Sequence, residues 1–233
     1  MEEAIELIET KKPVVKLFTA TANPLEAIAL AIDIWHHPVG EINYNLSEEE
    51  LVEKFRWLLK QPHQTPFEYV SLVWTLENVS RAFQQQLTRH RVGFSYSIQS
   101  LRVIDVESFA SEGRYHIPNT VENKHNYQDA MLGAQADYNE MVAMGESIED
   151  ARGILPLNIH SPITMSCTYR SLIGLLRQRL CVAAQEEWVA VAEQMRNELA
   201  KIHPVLVEPL DCMCKRFTNG KGVCKTTHEK VTV

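Results

Sequence analysis

Between residues 170 and 202 apolar side chains recur every three or four positions, and no other pattern in the chain constrains its folding as tightly. Leu172, Leu176, Leu180, Ala184, Trp188, Val191, Met195 and Leu199 line one stripe. A helix with such a stripe must bury it against a second layer. The spacing predicts one long helix from about Arg170 to Ile202. Arg177 and Arg179 flank the stripe, where an arginine ordinarily lays its stem along apolar surface or pairs with an acid.

The partner layer is predicted upstream. Residues 13–18 (PVVKLF) are rich in β-branched side chains and suit a buried or edge strand. Val70, Leu72, Trp74 and Leu76 alternate with other residues, which predicts a strand entered through a polar turn at His63, Thr65 and Pro66. Residues 163–169 (ITMSCTY) read either as a strand or as an irregular approach to the long helix. Residues 101–106 (LRVIDV) read as a strand, and the hydroxyl-rich FSYSIQS before them as a loop. Five shorter helices carry start or stop signals. Asn23 precedes Pro24, with Leu25, Ile28, Ile32 and Trp35 inward. Ser47 and Glu50 form a capping box for a helix with Leu51, Phe55, Leu58 and Leu59. Asn78 and Ser80 offer a cap to RAFQQQLTRHR, with Ala82, Phe83 and Leu87 inward and Gln86 and Arg89 on one face. A helix from about Asp129 turns Met131, Leu132, Ala136 and Met141 inward and stops at Gly145. Ser147 and Asp150 then open a short helix carrying Arg152, and 107–126 is irregular. These elements predict an α+β fold: a twisted, mostly antiparallel sheet with helices packed on it and a long C-terminal helix. One domain over 1–210 followed by a tail over 211–233 is the simplest organisation.

Chemistry concentrates in residues 88–102, TRHRVGFSYSIQSLR, which hold three arginines, a histidine, four serine or tyrosine hydroxyls and no acid. Such a segment is rich in donors for an anion. By itself an Arg-His-Arg triplet reads first as a solvated helix end with surface ion pairs. The chain as a whole has 23 Lys+Arg against 30 Asp+Glu, a formal net charge of −7. That balance argues against a nucleic-acid polymer as ligand and for a small phosphorylated one. No stretch is apolar enough to span a bilayer, and the acidic N-terminus does not read as a secretory signal. Five cysteines at irregular spacing argue for reduced thiols and a cytoplasmic setting. Cys212, Cys214, Cys224 and His228 lack the paired spacing of zinc ligands, so no metal is assigned. There is no Gly-x-Ser-x-Gly elbow and no glycine-rich phosphate loop, so nucleotide binding must rest on side chains.

The order of HQTPFEY, then Gln86 with TRHR, then Ser100 and Arg102, then ARGILPLN, then YRSLIGLLRQR with AQEEW resembles that of the flavin-dependent thymidylate synthases. The resemblance runs from about Asn23 to Pro204. It implies reductive methylation of dUMP to dTMP with FAD, a reduced nicotinamide (NADPH) and methylenetetrahydrofolate, in a homotetramer whose active sites are shared between subunits. It places the protein in a bacterial cytoplasm, or in a host's if the source is viral. By position, His63, Thr65, Arg89, His90 and Arg91 are similar to the family's flavin contacts. Gln86, Arg89, Ser100, Arg102 and Arg152 match its nucleotide contacts, with Ser100 and Arg102 on the phosphate. Arg179 matches the arginine that meets the uracil ring and is the one catalytic assignment.

The chain also departs from that pattern. Eight residues separate Arg91 from Ser100 where the family has seven. Ile98 stands where the family has a glutamate, Thr168 and Gly174 where relatives have asparagines near the flavin, Ala183 where they often have histidine, and Val103 where tyrosine is frequent. These changes keep two alternatives open: a flavoenzyme acting at C5 of UMP or another uracil nucleotide, and a non-catalytic nucleotide-binding homologue.

Overall fold

The computed structural model describes residues 6–38, 40–181 and 183–212; Cys214, Cys224 and His228 lie outside them. In chain order the elements are β1 (Val14–Ala20), α1 (Pro24–His36), α2 (Glu48–Leu59), β2 (Ser71–Glu77), α3 (Arg81–Leu87), β3 (Phe94–Ile98), α4 (Lys124–Ala143), α5 (Ile148–Ala151), β4 (Ile163–Thr168), α6 (Tyr169–Arg179) and α7 (Glu186–Ile202). Short 3-10 turns occupy Thr65–Tyr69, Arg152–Ile154 and Pro204–Val207.

The strands form one open sheet in the order β1-β2-β4-β3. Hydrogen bonds at the strand ends set each pairing. Thr21 N–H donates to Ser71 O, Tyr169 N–H to Val70 O, Ser161 N–H to Val79 O, Thr168 N–H to Gly93 O and Gln99 N–H to Pro162 O. In every pair the end of one strand meets the start of its neighbour, so all three ladders are antiparallel. The α+β class expected from the sequence is the one observed.

The described residues divide into two compact units, whose bounds fall within the strands: 6–15, Leu76–Arg89 and Tyr96–Thr164 in the first, and Lys16–Thr75, His90–Ser95 and 165–212 in the second. The first unit has its own core of Leu101, Val106, Phe109, Ala110, Tyr115, Met131, Tyr138, Ala151 and Ile159. In the second, Phe55, Phe67 and Tyr169 pack ring on ring, with centroids 5.3 and 5.4 Å apart for the Phe55–Phe67 and Phe67–Tyr169 pairs. The buried Tyr169 hydroxyl donates to Leu206 O at 2.5 Å, which removes the cost of burying it.

Several local expectations hold. Val70, Leu72, Trp74 and Leu76 are all buried, as the alternation requires. Ser47 and Glu50 make both bonds of the capping box. Gly145, at φ +96, ends α4: its N–H donates to Val142 O, and Glu146 N–H donates to Met141 O. That pair of bonds is a Schellman motif, which needs a residue free to adopt a left-handed backbone.

Others are corrected. The predicted 170–202 helix is two helices, interrupted between Arg179 and Glu186. Leu172 and Leu176 are buried, Leu180 and Ala184 only half-buried, and burial resumes at Trp188. The stripe is continuous in sequence because both helices face the same core, while the chain between them turns. The charges mark the break: Arg177 and Arg179 sit in the last turn of α6, and Glu186 and Glu187 in the first turn of α7. Each sign favours the helix end at which it lies.

The strand and loop assignments over 94–106 are exchanged. FSYSI is β3, with half-buried Phe94, Tyr96 and Ile98 alternating with exposed serines. LRVIDV is a turn in which Val103 and Ile104 N–H groups both donate to Ser100 O. A period of two outweighs the β-branched composition of LRVIDV. Helix α3 ends at Leu87 with Thr88 as its cap, so Arg89 lies beyond the helix and does not share a helical face with Gln86. Helix α4 begins at Lys124, capped by Asn123, and Ala136 points to solvent. Trp35 remains 44% exposed.

Candidate active site

The predicted site residues divide between the two units. In the first unit Ser100 and Arg102 lie on the turn after β3, and Arg152 lies where α5 passes into its 3-10 turn. Arg102 N–H donates to Ser100 Oγ at 3.3 Å, and its guanidinium pairs with the Glu149 carboxylate at 2.6 Å. Glu149 raises the pKa of Arg102 by hydrogen bond and by charge. Arg152 Nε donates to the backbone oxygen of the same Glu149 at 3.1 Å. One residue that sequence reasoning passed over, Glu149, therefore joins Arg102 and Arg152. Its only sequence signal is an acid in the first turn of a capped helix.

Arg81 is the second residue missed. Its N–H donates to Ile159 O, and Ala82 N–H donates to Leu157 O, which ties the start of α3 to the ARGILPLN segment. Burial pushes the Arg81 guanidinium below its ordinary range, and the nearby Arg152 cation pushes it further. Two cations close enough for one to lower the other's proton affinity suit a ligand that brings negative charge. Gln86 lies in the last turn of α3 and is half-buried, and Arg89 is exposed just past the cap. The structure does not bring Arg89 into the junction at Glu149.

In the second unit His63 and Thr65 are exposed at the entrance to the 3-10 turn before β2, above buried Pro66 and Phe67. The loop carrying His90 and Arg91 is anchored to the start of α6. Gly93 adopts φ +73, and a Cβ there would overlap the Ser171 hydroxyl. Ser171 Oγ donates to Val92 O at 2.8 Å, while Thr168 caps α6 by accepting from Ser171 N–H at 3.3 Å. Thr168 thus serves the helix end and the loop at once. Gly174 is exposed, with open space where a Cβ would stand, and Ala183 lies in the break after α6.

The structure brings His90 and Arg179 together: Arg179 Nη2 is 3.4 Å from His90 Nε2. A guanidinium only donates, so the imidazole nitrogen accepts and the ring carries its proton on Nδ1. Burial lowers the His90 pKa, and the Arg179 charge lowers it further; both favour that neutral ring. The Arg179 guanidinium carbon also lies 4.6 Å over the centroid of Trp188, which is fully buried.

His63, Thr65, His90 and Arg91 offer imidazole, hydroxyl and guanidinium donors, a set that fits the diphosphate and polar ring edge of a flavin nucleotide. Among the described residues no group of three or more His, Cys, Asp or Glu side chains is placed to hold a metal, and no helix is long and apolar enough to cross a membrane.

An α+β fold with arginine-rich donor sets on both units, and without a phosphate loop, defines a class of protein suited to an anionic ligand held by side chains. Comparison with known proteins narrows that class. The sequence model of the family described as "Thymidylate synthase complementing protein" matches residues 16–205. The flavin-dependent thymidylate synthase of Clostridium tetani is 32% identical over 214 residues, covering 82% of this chain and 84% of that one. That of Pyrococcus furiosus is 30% identical over 201 residues, covering 82% of each. The chain belongs to the flavin-dependent thymidylate synthase family. Solved structures agree on the fold. The UMP/dUMP methylase PolB from Streptomyces cacaoi, bound with 5-Br dUMP, superposes with a TM-score of 0.74 at 22% identity over 87% of this chain and 96% of that one. Thymidylate Synthase X from Helicobacter pylori, with FAD and dUMP, gives 0.69 at 20% identity over 84% and 97%.

Proposed function

We propose that the protein is a methyltransferase that converts dUMP to dTMP, with methylenetetrahydrofolate as carbon donor and NADPH as the source of electrons. The family match across 16–205 carries this reading. FAD supplies the hydride chemistry when bound, held by His63, Thr65, Arg89, His90 and Arg91. In the first unit Ser100, Arg102 and Arg152 take the nucleotide phosphate, a dianion that charge-assisted bonds from two guanidiniums and a hydroxyl hold well. Arg102 exchanges Glu149 for that phosphate, and Gln86 and Arg89 add donors to the nucleotide. In the second unit Arg179 meets the uracil ring, where a fixed cation stabilises the negative charge that builds as C5 becomes nucleophilic.

No thiolate nucleophile is needed, and the buried Cys167 suits that chemistry: burial pushes its thiol up to about 12, so it stays protonated at neutral pH. Residues 1–210 act as one domain in this reading, in a cytoplasmic homotetramer with shared active sites.

The test is a spectrum followed by a turnover assay. Purified protein is expected to show flavin absorbance and to form dTMP from dUMP with methylenetetrahydrofolate, FAD and NADPH. Yellow protein that methylates UMP and leaves dUMP unchanged would replace dUMP by the ribonucleotide. Colourless, inactive protein would sink the reading.

A further inference from the structure

Arg179 stands at the last position of α6, and Trp188 lies in the first turn of α7. Across the break between the two helices the guanidinium lies over the indole face at 4.6 Å. Trp188 has no exposed surface, so the indole plane is held by packing on every side and the cation rests on a rigid, dry platform. We propose that Trp188 is a positioning residue for the nucleotide: it fixes the Arg179 guanidinium in the place where Arg179 meets the uracil ring. This inference rests on the assignment of Arg179 to that ring.

The choice of an aromatic partner has a chemical consequence. A carboxylate at that position would fix the guanidinium equally well, but it would neutralise the charge and occupy N–H donors. An aromatic face attracts the cation through its quadrupole and does neither. His90 behaves in the same way, since a neutral imidazole accepts one N–H and brings no charge. Arg179 is thus held by two uncharged partners with its positive charge intact. Its long side chain loses its rotamer freedom before the substrate arrives, and the nucleotide need not supply that ordering on binding. The break between α6 and α7 is what makes the contact. In an uninterrupted helix two residues nine positions apart stand about 13 Å apart along the axis.

The experiment is a double-mutant cycle on the flavin-loaded full chain, using Arg179→Ala, Trp188→Leu and the pair. It reads the dissociation constant for dUMP by calorimetry and kcat/KM by initial rates, with thermal unfolding of each variant beside them. Trp188→Leu is expected to lower kcat/KM and weaken dUMP binding by about tenfold. In the Arg179→Ala background the same change is expected to do almost nothing, because the group it positions is gone. Trp188→Phe, which keeps an aromatic face, should recover most of the loss, and it decides the question if the leucine variant does not fold. Equal effects of Trp188→Leu with and without Arg179 would make Trp188 a structural residue only and overturn the proposal. So would wild-type binding by Trp188→Leu while Arg179→Ala is impaired. Wild-type behaviour of Arg179→Ala would remove the assignment of Arg179 itself, a failure the cycle separates from the other two.

Discussion

Gly93 shows how one residue holds the loop that carries the Arg-His-Arg triplet. Its φ of +73 lies in the left-handed region, and a Cβ would meet Ser171 Oγ and Thr168 Oγ1. Those two hydroxyls already cap α6 and bond the loop backbone at Val92, so they cannot move away without loss. Gly93→Ala is expected to destabilise the protein by about 1–3 kcal/mol from the left-handed backbone and the overlap together. Thermal unfolding checks this, and an unchanged midpoint would contradict it. The triplet was legible in the sequence as a donor-rich segment. The reason glycine follows it was not, because the atoms it must avoid come from residues 168 and 171, more than seventy positions away.

At the scale of elements, the turn after β3 and helix α5 meet through Glu149. Its carboxylate holds Arg102 while its carbonyl holds Arg152. The Arg102–Glu149 pair is half exposed on both sides, where ion pairs are weak and screened by salt. A phosphate dianion competes with that carboxylate for Arg102. Glu149→Gln is therefore expected to tighten dUMP binding by about two- to fivefold at low salt, with the gain shrinking as salt is added. Calorimetry at two salt concentrations measures it, and unchanged or weaker binding would place Arg102 away from the phosphate. The α6–α7 break teaches the same lesson in another element. Apolar periodicity reports which residues face the core, and two helices lying on one core continue a single stripe. Only the reversal of charge from Arg177 and Arg179 to Glu186 and Glu187 announced two ends.

At the scale of the whole molecule, His160 is a buried group whose surroundings penalise its charge. It is 8% exposed, and neither ring nitrogen has a hydrogen-bond partner among the described residues. Burial, with His116 adding to it, lowers its pKa from 6.5 to about 3. Between those values the unfolded chain binds a proton that the folded chain refuses. Stability is then full above about pH 6.5 and falls as the pH is lowered toward 3, at up to ~1.4 kcal/mol per pH unit from this group. Denaturant unfolding of the wild type and of His160→Phe across that range should show the slope diminished in the variant; parallel curves would assign the acid sensitivity elsewhere. By itself the sequence determined whatever depends on near neighbours and on composition: the helix caps at Ser47, Ser80 and Ser147, the buried alternation of β2, the α+β class, and the ordered motifs that mark the family. Tertiary structure alone decided which distant groups meet. Glu149 between Arg102 and Arg152, Trp188 beneath Arg179, and the solitary burial of His160 depend on how the backbone turns between elements. Those turns follow from the packing of the whole core, and no local spacing encodes them.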